Sequence, residues 1–263
     1  MLLADKNAVI YGAAGAIGAT VARAFAAEGA TVFLTGRNPA ALDTVAKEIT
    51  ASGGTAHTAV VDATDEDAVE NHADTVAAQG GSLDISFNAI AVPQEGIQGT
   101  PLPELTVERF TLPVNTYMTS HFLTTRAAAR RMIPQRSGVI LTLTATPARL
   151  AAPLTGGMAP AWAGIEALTR ALSAELGPYG VRALCLRPDA LPETATIDVV
   201  FGQHAKTAGL TREQFTAMMV GQTHRKHFPT LAEVAGAAVF AASDHAAAIT
   251  GTVLNLSGGS ITD

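Results

Sequence analysis

Two kinds of apolar run alternate along the chain. Residues 7–12, 30–36, 56–61, 82–88, 138–145 and 180–188 are short, and most are almost continuously apolar, the pattern of strands covered on both faces. Between them lie longer stretches whose apolar residues recur every three or four positions. Residues 19–28 are one, with Val21, Ala22, Phe25 and Ala26 on a single face; 40–50, 68–79, 114–131, 160–176 and 231–243 predict further helices. A last strand falls within 249–259. Strand following helix in this order predicts an α/β fold, a doubly wound, mainly parallel seven-stranded sheet with helices on both faces. Nothing reads as a linker, so residues 1–263 form one domain. The segment at about 195–228 breaks the alternation, and its scattered Phe201, Phe215, Met218 and Met219 suit helices that cover a substrate site.

Composition narrows the functions. The chain has 263 residues, 48% hydrophobic and 15% charged, with a formal charge of −6 and no basic block; a phosphate-backbone partner finds no electrostatic support, and no nucleic-acid partner is expected. No run approaches the roughly 20 apolar residues that span a bilayer, and residues 1–6 lack a basic, cleavable leader. A cytoplasmic protein without a membrane partner is expected. The one cysteine, Cys185, lies in the apolar run 181–186 and reads as a buried strand residue. His204, His224 and His227 lack metal-ligand spacing with carboxylates, and no metal site is expected.

Chemistry enters at the strand ends. Gly12-Ala13-Ala14-Gly15-Ala16-Ile17-Gly18 joins the first strand to the first helix. Such a turn brings backbone close to a pyrophosphate while the helix N-terminus presents free N–H groups to it. The second strand ends in Gly36-Arg37, with no acidic residue for ribose hydroxyls; a guanidinium there pairs with a 2′-phosphate, which favours NADP(H) over NAD(H). The third strand runs into Asp62-Ala63-Thr64-Asp65, where Asp65 suits a helix cap.

These pieces, with Leu83-Asp84-Ile85-Ser86-Phe87-Asn88, Gly138-Val139-Ile140-Leu141-Thr142-Leu143-Thr144-Ala145, Glu166-Ala167-Leu168-Thr169-Arg170 and the closing Ser243-Asp244-His245 through Ile249-Thr250-Gly251 to Ser257-Gly258-Gly259, resemble the short-chain dehydrogenase/reductase family over essentially the whole chain. The resemblance implies a Rossmann-like dinucleotide-binding fold and, for the cofactor, Gly12, Gly15, Ile17 and Gly18 at the pyrophosphate. It sets Arg37 at the ribose, Asp62 and Ala63 at the adenine, and Asn88 and Ala89 beside the nicotinamide ribose. Pro188, Leu191 and Thr194 would hold the carboxamide, although Asp189 replaces a glycine there and Thr194 comes one residue late. It further implies a small-molecule substrate and a homo-oligomer, a dimer or tetramer packed through the helices of Asn115 and Trp162, where Ala163, Ala167, Ala171 and Ala174 form a stripe.

The same resemblance exposes what is missing. Aligned on Glu166 to Arg170, the family's catalytic tyrosine falls on Met158 and its lysine on Trp162, while Ala145 holds the serine's place. Asn115 stands for the catalytic asparagine, and Thr144 or Thr146 offers a hydroxyl next to Ala145. A positioned acid is worth about 10² to 10⁴ in rate, so ordinary carbonyl reduction is not expected. Three readings stay open: an NADP(H)-dependent oxidoreductase with an unusual proton path, reducing an apolar carbonyl or an activated C=C; a non-catalytic dinucleotide-binding sensor or partner subunit; and a non-redox cyclase or dehydratase pocket.

Overall fold

The computed structural model describes residues 1–262. Its sheet has seven strands in the order β3-β2-β1-β4-β5-β6-β7, every pairing parallel. The strands are β1 (Asn7–Tyr11), β2 (Thr31–Gly36), β3 (Thr55–Val60), β4 (Ile85–Asn88), β5 (Gly138–Leu143), β6 (Val181–Pro188) and β7 (Thr252–Leu256); the helices are α1 (Ala16–Ala27), α2 (Pro39–Ala51), α3 (Glu66–Gly80), α4 (Val107–Gln135), α5 (Met158–Leu176), α6 (Ala195–Ala208), α7 (Arg212–Gln222) and α8 (Leu231–Ala242).

Side chains leave a strand alternately up and down, and here that period sorts the core into two layers. Ala8 and Ile10 join Val21, Phe25 and Leu42 with residues of α8 on one face. Val9 and Tyr11 join Val69, Val76, Leu123, Met132 and Leu176 from α3, α4 and α5 on the other. The register pairs Tyr11 with Thr35 and with Asn88, and Leu143 with Leu186. Gly12, Arg37, Asp62, Asn88, Ala145 and Asp189 therefore all emerge at one edge of the sheet. Connections run to opposite sides from β1 and β4, which opens a crevice at that edge where ligands bind in such sheets.

Two elements depart from the pattern read in the sequence. Helix α4 begins at Val107, not 114: Thr106 caps it by accepting from the Arg109 N–H, and Pro113 is accommodated inside the helix. The covering segment is two helices, α6 and α7, with a small core of Val200, Phe201, Ala205, Phe215 and Phe228. Among the described residues no helix is long and apolar enough to cross a membrane, and no group of three or more His, Cys, Asp or Glu is placed to hold a metal ion.

Candidate active site

The glycine turn has two jobs that its residues divide. Gly12 has φ +75°, and a Cβ on it would lie 2.7 Å from the Ala89 carbonyl oxygen; a Cβ on Gly18 would lie 2.4 Å from the Gly12 oxygen. Both glycines are thus required by the packing of the turn against its own helix and the loop after β4. Gly15 is different. It is the N-cap of α1 at φ −77°, its side gives the helix no capping group, and the first turn carries no acidic residue. Ala14, Gly15 and Ala16 are exposed, so the N–H groups that open α1, Ile17 among them, remain available to an anion. These features fit a dinucleotide pyrophosphate.

Asp62 takes the Thr64 N–H at 2.9 Å and donation from the Thr64 hydroxyl at 2.7 Å on one carboxylate oxygen. These bonds, with the charge of Arg37, hold its pKa below the usual carboxylate range. Arg37 is exposed. A cation and an ionised carboxylate therefore border the same sheet edge, with Ala63 buried between β3 and α3.

On the nicotinamide side the side chains named from the sequence turn inward. Asn88 is buried; its Nδ2 donates to Thr124 Oγ1 at 3.1 Å and its Oδ1 accepts from Ile90 N at 3.1 Å. It ties the loop after β4 to α4, and the Ala89 N–H is taken by the Tyr11 oxygen at 2.9 Å. Thr194 caps α6 and donates to the Leu191 oxygen at 2.8 Å. Pro188 and Leu191 are buried beside it.

The reacting half departs further from expectation. Asn115 lies on the exposed side of α4. Two residues along a helix turn the side chain by about 200°, and it is Tyr117 that faces in, 6% exposed, among Val92, Ile97, Met158, Ala161 and Ile165. Asn115, expected as the catalytic asparagine, is the residue that this phase turns outward. Thr144 is bonded inside the protein: its hydroxyl donates to Glu166 Oε1 at 3.2 Å and lies 3.4 Å from Cys185 Sγ. Thr146 donates to Asp189 Oδ1 at 3.3 Å. Asp189 also accepts from the Ala190 N–H at 2.8 Å and from Ser260 Oγ at 2.5 Å, which fastens the end of the chain to the loop after β6. Ala145 is half-buried and Met158 fully buried. The Trp162 ring centre lies 6.4 Å from that of Tyr117. Burial pushes the Tyr117 phenol up to about 12, against a smaller opposing effect of the nearby Val92 and Trp162 N–H groups. Burial likewise pushes the Cys185 thiol up to about 11, as suits an inert strand residue.

A polar chain that the sequence reading missed closes the site from above. Gln94 Nε2 donates to the Val92 oxygen at 2.7 Å, Gln98 Nε2 donates to Gln94 Oε1 at 2.7 Å, and His204 Nε2 of α6 lies 3.2 Å from Gln98 Oε1. Thr207 of α6 donates to the Gly99 oxygen at 2.7 Å. Only the spacing of the two glutamines hinted at it.

The family profile described as enoyl-(acyl carrier protein) reductase matches residues 12–260. The chain belongs to the short-chain dehydrogenase/reductase family. It is 30% identical over 260 residues to gluconate 5-dehydrogenase of Gluconobacter oxydans, covering 98% of this chain and 95% of that one. A Beutenbergia cavernae protein assigned as an NAD(P)-dependent gluconate 5-dehydrogenase, solved with NADP bound at low occupancy, superposes with a TM-score of 0.85 at 26% identity, over 97% of this chain and 96% of that one. An NAD+-bound xylitol dehydrogenase reaches 0.92 at 24% identity, over 98% and 100%, and supports the fold. The chain is thus a single-domain Rossmann-like protein with oxidoreductases among its relatives.

Proposed function

We propose that the protein is an NADP(H)-dependent reductase with a non-standard active site, acting on an apolar compound whose C=C is conjugated to a carbonyl. The observation that carries this reading is the apolar set Ala145, Met158 and Trp162, at the positions where the resemblance sets serine, tyrosine and lysine. A ketone oxygen that receives hydride must be protonated as charge develops on it, and no ionisable acid stands there. Hydride addition to the β-carbon of an enone moves the π electrons onto the carbonyl oxygen instead; the α-carbon then takes its proton from solvent. NADPH supplies the hydride when bound. The turn at Gly15 and the N-terminus of α1 would hold its pyrophosphate, Arg37 its 2′-phosphate and Asp62 its adenine. Proximity to the bound cofactor supplies much of the acceleration without an acid.

A non-catalytic NADP(H)-binding role is the second reading, favoured by the commitment of Thr144, Thr146, Thr194 and Asp189 to partners inside the protein. Absorbance of NADPH, followed with cyclohexenone and with cyclohexanone, separates the two. Consumption with the enone and background with the ketone are expected; consumption with neither favours the binding role. The protein would work as a homo-oligomer in the cytoplasm, its exposed Ala163, Ala167, Ala171 and Ala174 packing against a second copy; sedimentation as a monomer at micromolar concentration overturns that.

A further inference from the structure

We infer that Tyr117 donates a hydrogen bond to the ligand's carbonyl oxygen, in the place of the hydroxyl that α5 lacks at Met158. The inference rests on the reading of the site as a reductase pocket and names the group that holds the substrate in it.

Three observations converge on this side chain. Tyr117 shares one cluster with Met158 and packs beside half-buried Trp162 and Ile90, so a phenol from α4 stands next to the position where α5 carries a thioether. The Trp162 ring packs beside it, 6.4 Å between ring centres. Among the described residues no hydrogen bond takes the phenol's proton, which is left to donate. The other hydroxyls at this edge are spent: Thr144 on Glu166, Thr146 on Asp189 and Thr194 on the Leu191 oxygen.

The environment also fixes how the phenol acts. Its neighbours are apolar or neutral, no ammonium stands in the place of Trp162, and burial keeps it protonated far above neutral pH. A neutral phenol in a dry site polarises a carbonyl and stabilises an enolate oxygen by hydrogen bonding, without transferring its proton. The hydroxyl then moves from α5 to α4, and the Trp162 ring packs beside it.

The test is the infrared carbonyl stretch of isotope-labelled cyclohexenone bound to the NADP+-loaded protein, read beside its Kd. A shift to lower frequency is expected in wild type. In Tyr117→Phe the shift is lost and Kd rises about five- to tenfold, the effect of one hydrogen bond; in Trp162→Phe, which keeps the phenol and frees its orientation, the shift is reduced and broadened. An unchanged stretch in Tyr117→Phe overturns the assignment, as does a wild type that binds NADP+ and shows no shift or no probe binding. Failure of wild type to bind NADP+ in parallel calorimetry is the separate result that removes the functional reading, and this inference with it.

Discussion

Arg187, at the end of β6, reaches Glu166 of α5 inside the protein, its Nη1 3.2 Å from one carboxylate oxygen and 3.3 Å from the other. Both side chains are nearly closed to solvent, 2% and 9% exposed. Thr144 donates to the same carboxylate, so one charged group joins β5, α5 and β6 directly beneath Ala145 and Met158. Removing Glu166 takes away the carboxylate on which both Arg187 and Thr144 bond, and hydrogen bonds to a charged group are worth about 1.5 to 3 kcal/mol. Glu166→Ala is expected to lower the unfolding free energy by that amount in urea titration. A loss under about 1 kcal/mol would show that the Glu166 bonds contribute little net stability.

The glycine turn makes two opposite predictions from neighbouring residues. Gly12→Ala forces a side chain into the Ala89 carbonyl at a positive φ, and lost stability is expected whatever the cofactor does. Gly15→Ala meets only the Gly12 oxygen at 3.3 Å, in a conformation alanine adopts freely. It is expected to fold with a melting temperature near wild type and bind NADPH about tenfold more weakly, because its methyl stands over the helix N-terminus. Calorimetry and thermal unfolding of the two variants check both; equal NADPH affinity in Gly15→Ala would place the pyrophosphate elsewhere.

Arg37→Ala is expected to weaken NADPH binding by roughly ten- to a hundredfold, about 1.4 to 2.8 kcal/mol, and to leave NADH binding unchanged. The distinction isolates the 2′-phosphate, since the two cofactors differ nowhere else. Equal losses for both would assign Arg37 to Asp62, whose carboxylate it already stabilises.

His121 makes stability depend on pH. Its Nδ1 lies 2.9 Å from the Tyr117 carbonyl oxygen, and its buried Nε2 has no partner among the described residues. Protonation would add a buried N–H and a charge, and burial accordingly lowers the imidazole from 6.5 to about 4. Because the folded value lies below the unfolded one, the stabilisation is complete above about pH 6.5 and is lost as pH falls through 4. Between pH 7 and 4.5 this one group costs about 2 kcal/mol. His72, lowered by burial in the same way, adds to the trend. Urea midpoints at the two pH values are expected to converge in His121→Gln, whose amide can still donate to the Tyr117 oxygen; an unchanged slope would assign the loss to His72 or to the carboxylates.

The fold was legible because its signals are local. Strand and helix periods, the Gly12 to Gly18 turn and the Asp65 cap each report on a few consecutive residues, and the structure repeats them. The residues expected around a cofactor come together at one edge of the sheet, yet the side chains of Asn88 and Thr194 brace the loop and cap α6. The reacting half depended on rotation. Whether Asn115 or Tyr117 faces in is decided by the phase of a helix of 29 residues whose start was misplaced beyond Pro113, and both residues look plausible on paper. Thr144 and Ala145 follow β5 directly, Ala145 in extended backbone, and which of the two turns toward α5 residue type alone does not reveal. Glu166 with Arg187, and Gln98 with His204, come together from distant segments, and no spacing announces them.

The phase of α4 changes what must be restored to recover ordinary ketone reduction. Ala145→Ser, Met158→Tyr and Trp162→Lys return the three side chains that the resemblance finds missing, but Met158 is fully enclosed by Val92, Ile97, Tyr117, Ala161 and Ile165. A phenol at 158 overfills that space while Tyr117 remains, at a typical cost of about 1 to 3 kcal/mol. The lysine would also enter an apolar flank without a partner. Tyr117→Asn relieves both: it empties the room of one ring and puts an amide on the inward side of α4, where Asn115 does not reach. The fourfold variant is therefore expected to reduce cyclohexanone with NADPH at least a hundredfold faster than wild type, the low end of what a positioned acid is worth. The threefold variant that keeps Tyr117 is expected to stay near background and melt lower. NADPH affinity and the melting temperature, measured beside the rate, show whether each variant is folded and loaded. Equal recovery in both would mean that Tyr117 does not crowd the site; a folded, NADPH-loaded fourfold variant that stays inert would place the obstacle in the loop that Asn88 fastens to Thr124.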